Sequence, residues 1–154
     1  MNKKLFLISI AVCFTFCQNM IAQTKMDALF DNIRNEDNAT SIHLGRFTMT
    51  IASFFTETFG VHEIDIVKFE DCDKAKLKKY IEAARALDCS AFDSQISDKD
   101  GDEYKKVLIR THDDKIQEIV ILKYDKNEIA LVRIQGNINP SDVEHVINRH
   151  SNEG

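Results

Sequence analysis

The sequence predicts an α+β protein, in which an antiparallel sheet built on a C-terminal three-stranded meander is packed with about four helices. The first observation is a succession of three runs rich in Val, Ile, Leu and Tyr between residues 104 and 138. Such runs suit a pleated, half-buried surface. The second is that only short polar segments separate the runs, because connections this short require antiparallel neighbours. The third is the presence of amphipathic helical stripes before and after the runs.

The meander is predicted from residues 104–111, 116–124 and 128–138. His112–Lys115 and Asp125–Asn127 separate the three strands, and their Asp and Asn residues tolerate the backbone conformations of tight hairpins. The middle strand is apolar on both faces, because side chains alternate along a strand. Its two faces carry Ile116, Val120, Leu122 and Tyr124 on one side and Ile119 and Ile121 on the other.

Two apolar faces on one strand both need cover. Either helices lie on both sides of the sheet, or one face meets a partner molecule or a second layer. The sequence leaves these two alternatives open.

Residues 1–22 are predicted to be a secretory signal peptide that is not part of the fold. Lys3 and Lys4 form a basic start, and residues 5–16 form an apolar core that is too short for a mature membrane helix. Ala22 then supplies a small residue at the cleavage site. An uncleaved membrane anchor is the alternative interpretation.

Lipid attachment is a third possibility for the N-terminal segment, because it contains Cys13 and Cys17. Attachment requires a small residue just before the cysteine, and Val12 and Phe16 stand there instead. We therefore expect an exported protein, periplasmic or associated with the outer envelope, with residues 23–154 forming a single α+β domain.

Charge and length limit the function of the predicted domain. Removing residues 1–22 removes two lysines and no acids, so the net charge of −5 becomes −7. An acidic balance disfavours nucleic acid as a partner, because phosphate binding needs clustered cations. The remaining 132 residues, 154 less 22, can bury a core without a metal or disulfide. No further apolar run reaches the length of a transmembrane segment.

An N-terminal helix is predicted over residues 24–34, followed by a polar loop over residues 35–40 and a short strand over residues 41–44. Apolar residues recur at helical spacing in the first segment, at Met26, Leu29, Phe30 and Ile33. Residues 46–59 fit two structures. Near the start of this segment, apolar residues alternate with threonine over residues 47–51, which suits a strand. A helical stripe is formed instead by Phe47, Ile51, Phe54, Phe55 and Phe59. The length of the segment favours a helix, whereas the conformational propensities of its residues favour a strand. We favour the helix.

Residues 61–70 are predicted to be a strand, and residues 74–87 a helix capped by Asp71 or Asp73. The helix has an apolar stripe, which consists of Leu77, Tyr80, Ile81, Ala84 and Leu87. Its outer face is basic and is expected to be solvated; it consists of Lys74, Lys76, Lys78, Lys79 and Arg85. Residues 90–97 are predicted to be another strand.

A final helix is predicted to begin at Asn139, a good N-cap residue, and Pro140, which fits the first helical position. Three apolar side chains of this helix would pack inward, namely Val143, Val146 and Ile147.

Two cysteines lie in the predicted domain, Cys72 and Cys89, and they flank the helix predicted over residues 74–87. A continuous helix would hold them roughly 25 Å apart, whereas a disulfide needs Cα atoms within about 7 Å. We therefore expect two separate, mostly buried thiols.

Three aspartates resemble the start of a calcium loop, namely Asp98, Asp100 and Asp102. An EF-hand loop has Gly at its sixth position and Glu at its twelfth, and those positions hold Glu103 and Ile109. Asp100-Gly101 is instead a common hairpin signal, so a turn is preferred to a metal site.

The remaining titratable residues do not converge in the sequence. The five histidines have no metal-binding spacing; they are His43, His62, His112, His145 and His150. Paired carboxylates could come from Glu63, Asp65 and Asp71, but nothing singles out two of them. We predict no catalytic, cofactor-binding or metal-binding residue and no cofactor.

The end of the last strand carries a family resemblance. Residues 130–138 read ALVRIQGNI, and the most specific part is the Ile-x-Gly-Asn-Ile segment from Ile134 to Ile138. Over about residues 26–147 the chain resembles the domain of unknown function 4252 family, small exported proteins of Bacteroidota. The resemblance implies an envelope protein with an α+β fold and implies no activity, cofactor or catalytic residue. Gly136 is expected to permit a bend into the final helix.

We expect a non-catalytic exported cell-envelope module whose role is protein–protein interaction or self-association. The alternative is a small-ligand or lipid-binding periplasmic protein, with the aromatic stripe of residues 47–59 lining a pocket. An enzyme is disfavoured, because the sequence contains no catalytic motif.

Overall fold

The structure, a computed structural model, describes residues 25–45, 59–70 and 73–143. These residues contain a six-stranded sheet in which every neighbouring pair of strands is antiparallel. Its strands are β1 (Ala39–Leu44), β2 (Val61–Glu70), β3 (Ser94–Asp100), β4 (Glu103–His112), β5 (Lys115–Tyr124) and β6 (Glu128–Ile138). The spatial order is β1-β2-β6-β5-β4-β3, so the N-terminal pair β1–β2 lies beside the last strand.

Three helical segments accompany the sheet in the described residues. They are α1 (25–34), α2 (Lys74–Arg85) and a segment that begins at residue 140, α3 (140–143). The predicted antiparallel α+β fold is confirmed. The predicted three-stranded meander and about four helices do not match in detail, because β3 extends the meander to four consecutive strands and β1–β2 completes the sheet. Every residue of strand β3 is exposed, so its sequence lacks the regular apolar alternation of β4, β5 and β6.

The core lies between α1, α2 and one face of the sheet. The helices contribute Met26, Leu29, Phe30, Ile33, Leu77, Tyr80 and Ala84, all of which are buried. The sheet contributes Val67, Phe69, Leu108, Val120, Leu122, Tyr124, Ile129 and Leu131. Phe69 meets the ring of Tyr80 edge-on, with 5.6 Å between ring centroids. The apolar stripes predicted for both helices therefore form the packed interface, and Ile81 and Leu87 lie at its margin.

Helix α2 begins where the sequence predicts, and Asp73 is its N-cap. The side chain of Asp73 accepts hydrogen bonds from the backbone N–H groups of Ala75 and Lys76, at 2.9 and 3.2 Å. These bonds satisfy two of the donors that a helix N-terminus leaves without intrahelical partners. The other predicted cap, Asp71, lies outside the described residues.

Several predicted boundaries differ from the structure. Strand β3 spans Ser94–Asp100 where residues 90–97 were predicted, so Asp98 and Asp100 lie on the strand and only Asp102 lies in the turn. Gly101 adopts a φ of 56°, which explains why the turn forms there. Strand β1 begins at Ala39, inside the predicted loop over residues 35–40. The choice between helix and strand for residues 46–59 lies outside the described residues, except for Phe59.

The prediction that Gly136 permits a bend into the final helix is wrong, because β6 continues past it to Ile138. Gly136 pairs with Val61 at a register shift between β2 and β6. A Cβ atom on Gly136 would lie 2.9 Å from the Cα of Val61 and closer still to the carbonyl oxygen of Gly60. Glycine is therefore required here by a close approach of two backbones.

The start of the final helix agrees with the prediction. Pro140 is its first residue, and the backbone N–H of Asp142 donates to the carbonyl of Asn139 at 3.0 Å. Asn139 Nδ2 also donates to the Asp142 side chain at 3.1 Å. Residues 1–22, Cys72, His145, Val146, Ile147 and His150 lie outside the described residues, so the predictions that rest on them remain predictions.

Candidate functional site

The sheet face that points away from α1 and α2 carries two continuous apolar rows, which we call the apolar band. The first row crosses all six strands in register and consists of Ile42, Ile66, Val132, Ile121, Val107 and Ile96. The second row consists of Leu44, Ile64, Ile134, Ile119 and Ile109. Both rows follow from strict alternation, because every second residue of each strand faces the same side.

The exposure of the apolar band differs sharply from that of the opposite face. Ile42 and Ile96, on the two outer strands, are 47% and 60% exposed, and the other members of the band are partly exposed. On the helix-covered face, Val120 and Leu131 are 0% exposed. The sequence prediction that β5 is apolar on both faces is confirmed, and Ile119 and Ile121 lie on the less covered face.

The size of the band can be estimated from strand geometry. Six strands at ~4.8 Å spacing give a width of ~29 Å, and two rows ~7 Å apart give a depth of ~14 Å. The flat footprint is therefore about 400 Å², the range in which an apolar patch on a monomer often marks an interaction site.

A charged row borders the band on one side. It contains Lys68 of β2, Lys123 of β5 and Lys105 of β4. These residues lie in one register row, in which Ala130 of β6 stands between Lys68 and Lys123. Lys68 lies 2.7 Å from Glu70 and 2.9 Å from Glu128, and these hydrogen bonds raise its pKa. The border is therefore charged and hydrated, whereas the two rows inside it are apolar.

The helix-covered face holds a buried charge network that the sequence analysis missed. Glu118 is 0% exposed, and it forms ion pairs with Arg110 of β4 and with Arg133 of β6. Glu118 Oε1 lies 3.1 Å from Arg133 Nε, but the two groups are not oriented to form a hydrogen bond. Arg133 Nη1 lies 2.7 Å from Asp27 of α1, and its guanidinium lies 4.5 Å from the Phe30 ring centre.

Beside this network, a polar cleft of about 630 Å³ opens between α1 and strands β1, β2 and β6. Arg34 of α1 pairs there with Asp65 of β2, and this hydrogen bond is the main cause that raises the pKa of Arg34. His43 Nδ1 lies 3.9 Å from Glu63 and 4.0 Å from Asp65. The structure thus brings together two of the three carboxylates that the sequence named as possible pairs.

The other titratable residues named from the sequence lie apart from one another. Cys89 is buried, and the Lys106 ammonium donates to its sulfur at 3.2 Å. His62 and His112 are exposed, as are Asp98, Asp100 and Asp102. Within residues 25–45, 59–70 and 73–143, no group of three His, Cys, Asp or Glu side chains is arranged to hold a metal ion.

One sequence signal could have revealed the buried network. Glu118 occupies an inward position of β5 between two apolar neighbours on the same face, and Arg110 and Arg133 occupy inward positions of the adjacent strands. Opposite charges at inward positions of neighbouring strands indicate a buried ion pair once the strand order is known.

In the part of the chain that the structure describes, no helix combines the length and the apolar character that a membrane crossing needs. The fold and its surfaces define an antiparallel α+β protein with helices on one face of the sheet and an apolar band on the other. The chain belongs to the family described as domain of unknown function DUF4252, whose profile matches residues 30–146. Comparison with curated proteins finds no match, and neither does comparison with solved structures.

Proposed function

We propose that this chain is a non-catalytic, exported cell-envelope module that acts through protein–protein contact, with the apolar band as its contact surface. The observation that supports this function is the contrast between the two sheet faces. One face is covered by α1 and α2, whereas the other presents eleven aliphatic side chains in register, all of them at least partly exposed. Exposing such a surface to water is unfavourable, and an interface removes that cost.

The occupant that best fits the band is a second copy of the chain. A two-fold interface requires a surface that complements itself. Two flat rows of Ile, Val and Leu meet this requirement, because the faces of two sheets pack about 10 Å apart through interdigitating apolar side chains. With its charged border, the face offers a flat footprint of about 600 Å², close to the roughly 800 Å² per partner of a stable interface.

The charged border selects one orientation of the two copies. If the strands of both copies ran in the same direction, the rows containing Lys68, Lys105 and Lys123 would lie opposite each other. Their contact would remove water from the ion pairs that Lys68 and Lys123 form with carboxylates, and this desolvation is unfavourable. If the strands run in opposite directions, each lysine row lies over the far end of the other sheet and the apolar rows still overlap. We therefore expect the antiparallel arrangement.

The test of self-association is the mass of residues 23–154 in solution, measured by light scattering after size exclusion over a range of concentrations. Wild type is expected to be a dimer. Ile121→Lys places a charge at the centre of the band and is expected to give a folded monomer. Asn127→Lys adds the same charge in the exposed β5–β6 turn and should leave the dimer unchanged.

A wild-type monomer at about 100 µM would refute the second copy as occupant. Retained dimerisation in Ile121→Lys would show that the copies meet through another surface. Circular dichroism on each variant establishes that a change in mass does not come from unfolding.

Export is tested separately from self-association. Expression of the full chain in a bacterial host, followed by intact-mass measurement of the envelope fraction, is expected to show a chain that begins at Gln23. A chain in the envelope fraction that retains residues 1–22 would instead support the uncleaved anchor.

Small-ligand binding is the second candidate function. The aromatic stripe first suggested for it, residues 47–59, lies outside the described residues except for Phe59. A different observation favours this function, namely the polar cleft between α1 and the β1–β2–β6 side of the sheet.

A further inference from the structure

The polar cleft contains two buried charged side chains with unsatisfied atoms of opposite character. The Asp65 side chain is 9% exposed, and its Oδ2 atom pairs with Arg34, whereas its Oδ1 atom accepts no hydrogen bond from the described residues. The Arg133 side chain is 11% exposed, and its Nη2 atom donates no hydrogen bond among the same residues. A buried polar atom without a partner is costly, so each of these atoms favours a ligand atom of complementary character.

The two unsatisfied groups are neighbours. Asp65 and Arg133 face each other directly across the β2–β6 pair, which places their Cβ atoms about 5 Å apart. Directly opposed residues that offer an acceptor and a donor in one cleft match a molecule that carries an ammonium group and a carboxylate on one carbon. A simple cation would leave Arg133 Nη2 without an acceptor, and a simple anion would leave Asp65 Oδ1 without a donor.

The charge of the cleft adds a preference about the rest of the ligand. Its lining contains the four carboxylates and two guanidinium groups of Asp27, Asp31, Glu63, Asp65, Arg34 and Arg133. The four carboxylates and two guanidinium groups sum to a net charge of −2, which favours a ligand with an additional positive charge. The volume of about 630 Å³ lies within the usual range for small-molecule sites.

We propose that the polar cleft binds a free α-amino acid with a basic side chain. Both atoms are buried, so binding requires each side chain to rotate toward the cleft; Asp65 Oδ1 then accepts from the α-ammonium group, and Arg133 Nη2 donates to the α-carboxylate. The carboxylates of Asp31 and Glu63 attract the side-chain cation. This binding site is independent of the apolar band, which lies on the opposite face of the sheet.

The experiment compares three probes on residues 23–154 by isothermal titration calorimetry. L-lysine carries both α-groups, Nα-acetyl-L-lysine lacks the α-ammonium, and L-lysinamide lacks the α-carboxylate. L-lysine is expected to bind, and each blocked analogue is expected to bind at least about tenfold more weakly, the effect of losing a charge-assisted hydrogen bond. L-glutamate is expected to bind more weakly than L-lysine, because its side chain meets the acidic lining.

Two variants assign each half of the ligand to one residue. Asp65→Asn is expected to lower L-lysine affinity about tenfold and to abolish the difference between L-lysine and Nα-acetyl-L-lysine. Arg133→Gln is expected to abolish the difference between L-lysine and L-lysinamide. Asp113→Asn, in the exposed β4–β5 turn, is the matched control and is expected to bind all probes as wild type does.

The proposal is overturned if L-lysine gives no binding at millimolar concentration, or if the three probes bind wild type equally. It is also overturned if folded Asp65→Asn keeps the wild-type preference for the free α-ammonium. If circular dichroism shows that either variant does not fold, the comparison of the three probes on wild type alone tests the proposal. Failure of the proposed self-association changes none of these results, because mass and ligand affinity are measured independently.

Discussion

Replacement of Glu118 by Gln tests the buried charge network most directly. The substitution keeps the shape of the side chain and removes its charge. Removing one partner of a buried ion pair typically costs about 3–5 kcal/mol. We expect a smaller loss here, about 2–3 kcal/mol, because the Arg110 side chain is 35% exposed and can turn to water while Arg133 keeps Asp27. For a chain of 132 residues, this loss lowers the melting temperature by roughly 7–11 °C.

The assay is urea unfolding of wild type and Glu118→Gln, followed by circular dichroism. The matched control is Glu103→Gln, which removes one partner of an exposed ion pair 3.2 Å from Lys123 and is expected to change stability by under about 1 kcal/mol. If Glu118→Gln and Glu103→Gln lose the same amount, the network does not stabilise the sheet and the physical argument from burial is refuted.

Two further predictions concern the backbone and pH. Gly136→Ala is expected to lower the free energy of unfolding by about 1–3 kcal/mol, because the new methyl group collides with the Gly60–Val61 backbone. Gly45→Ala is the comparison in chemical denaturation, because Gly45 has no positive φ and its new methyl group would meet the exposed side chain of His43, 3.2 Å from Nε2. Burial and the hydrogen bond to Glu36 raise the pKa of Tyr80 to about 12. Because the unfolded tyrosine ionises near pH ~10, this contribution to stability is complete below pH ~10 and is lost as the pH rises toward 12. Tyr80→Phe should show a shallower decline over that window, and an identical decline would contradict the assignment.

Much of the fold follows from periodicity in the sequence. Strong alternation located β2, β4, β5 and β6, and helical spacing located the buried stripes of α1 and α2. Strand β3 was displaced by several residues, because its side chains are all exposed and no burial pattern marks its ends. The strand order was not predictable either. Pairing of β2 with β6 joins segments far apart in the chain, and alternation carries no information about which strands are neighbours.

The candidate sites were predictable to different extents. The apolar band follows from the two-faced character of β5, which the sequence shows directly. The polar cleft depends on α1, β1, β2 and β6 meeting at one place, so Asp65 and Glu63 could be named as carboxylates but not joined to Arg34 and Arg133. The role of Gly136 was misjudged, because its closest neighbours come from Gly60 and Val61, far away in sequence.

The strand order has a consequence for how the molecule assembles. Val67 of β2 pairs with Leu131 of β6, 64 positions later, and the β2–β6 pairing is the only one that connects the β1–β2 strand pair to the rest of the described sheet. The β1–β2 pair therefore cannot dock until almost the whole chain has been synthesised. Such long-range pairing predicts slow folding with a high contact order. It also predicts that truncation before residue 128 leaves β1–β2 without its neighbour, exposed to proteases and to aggregation.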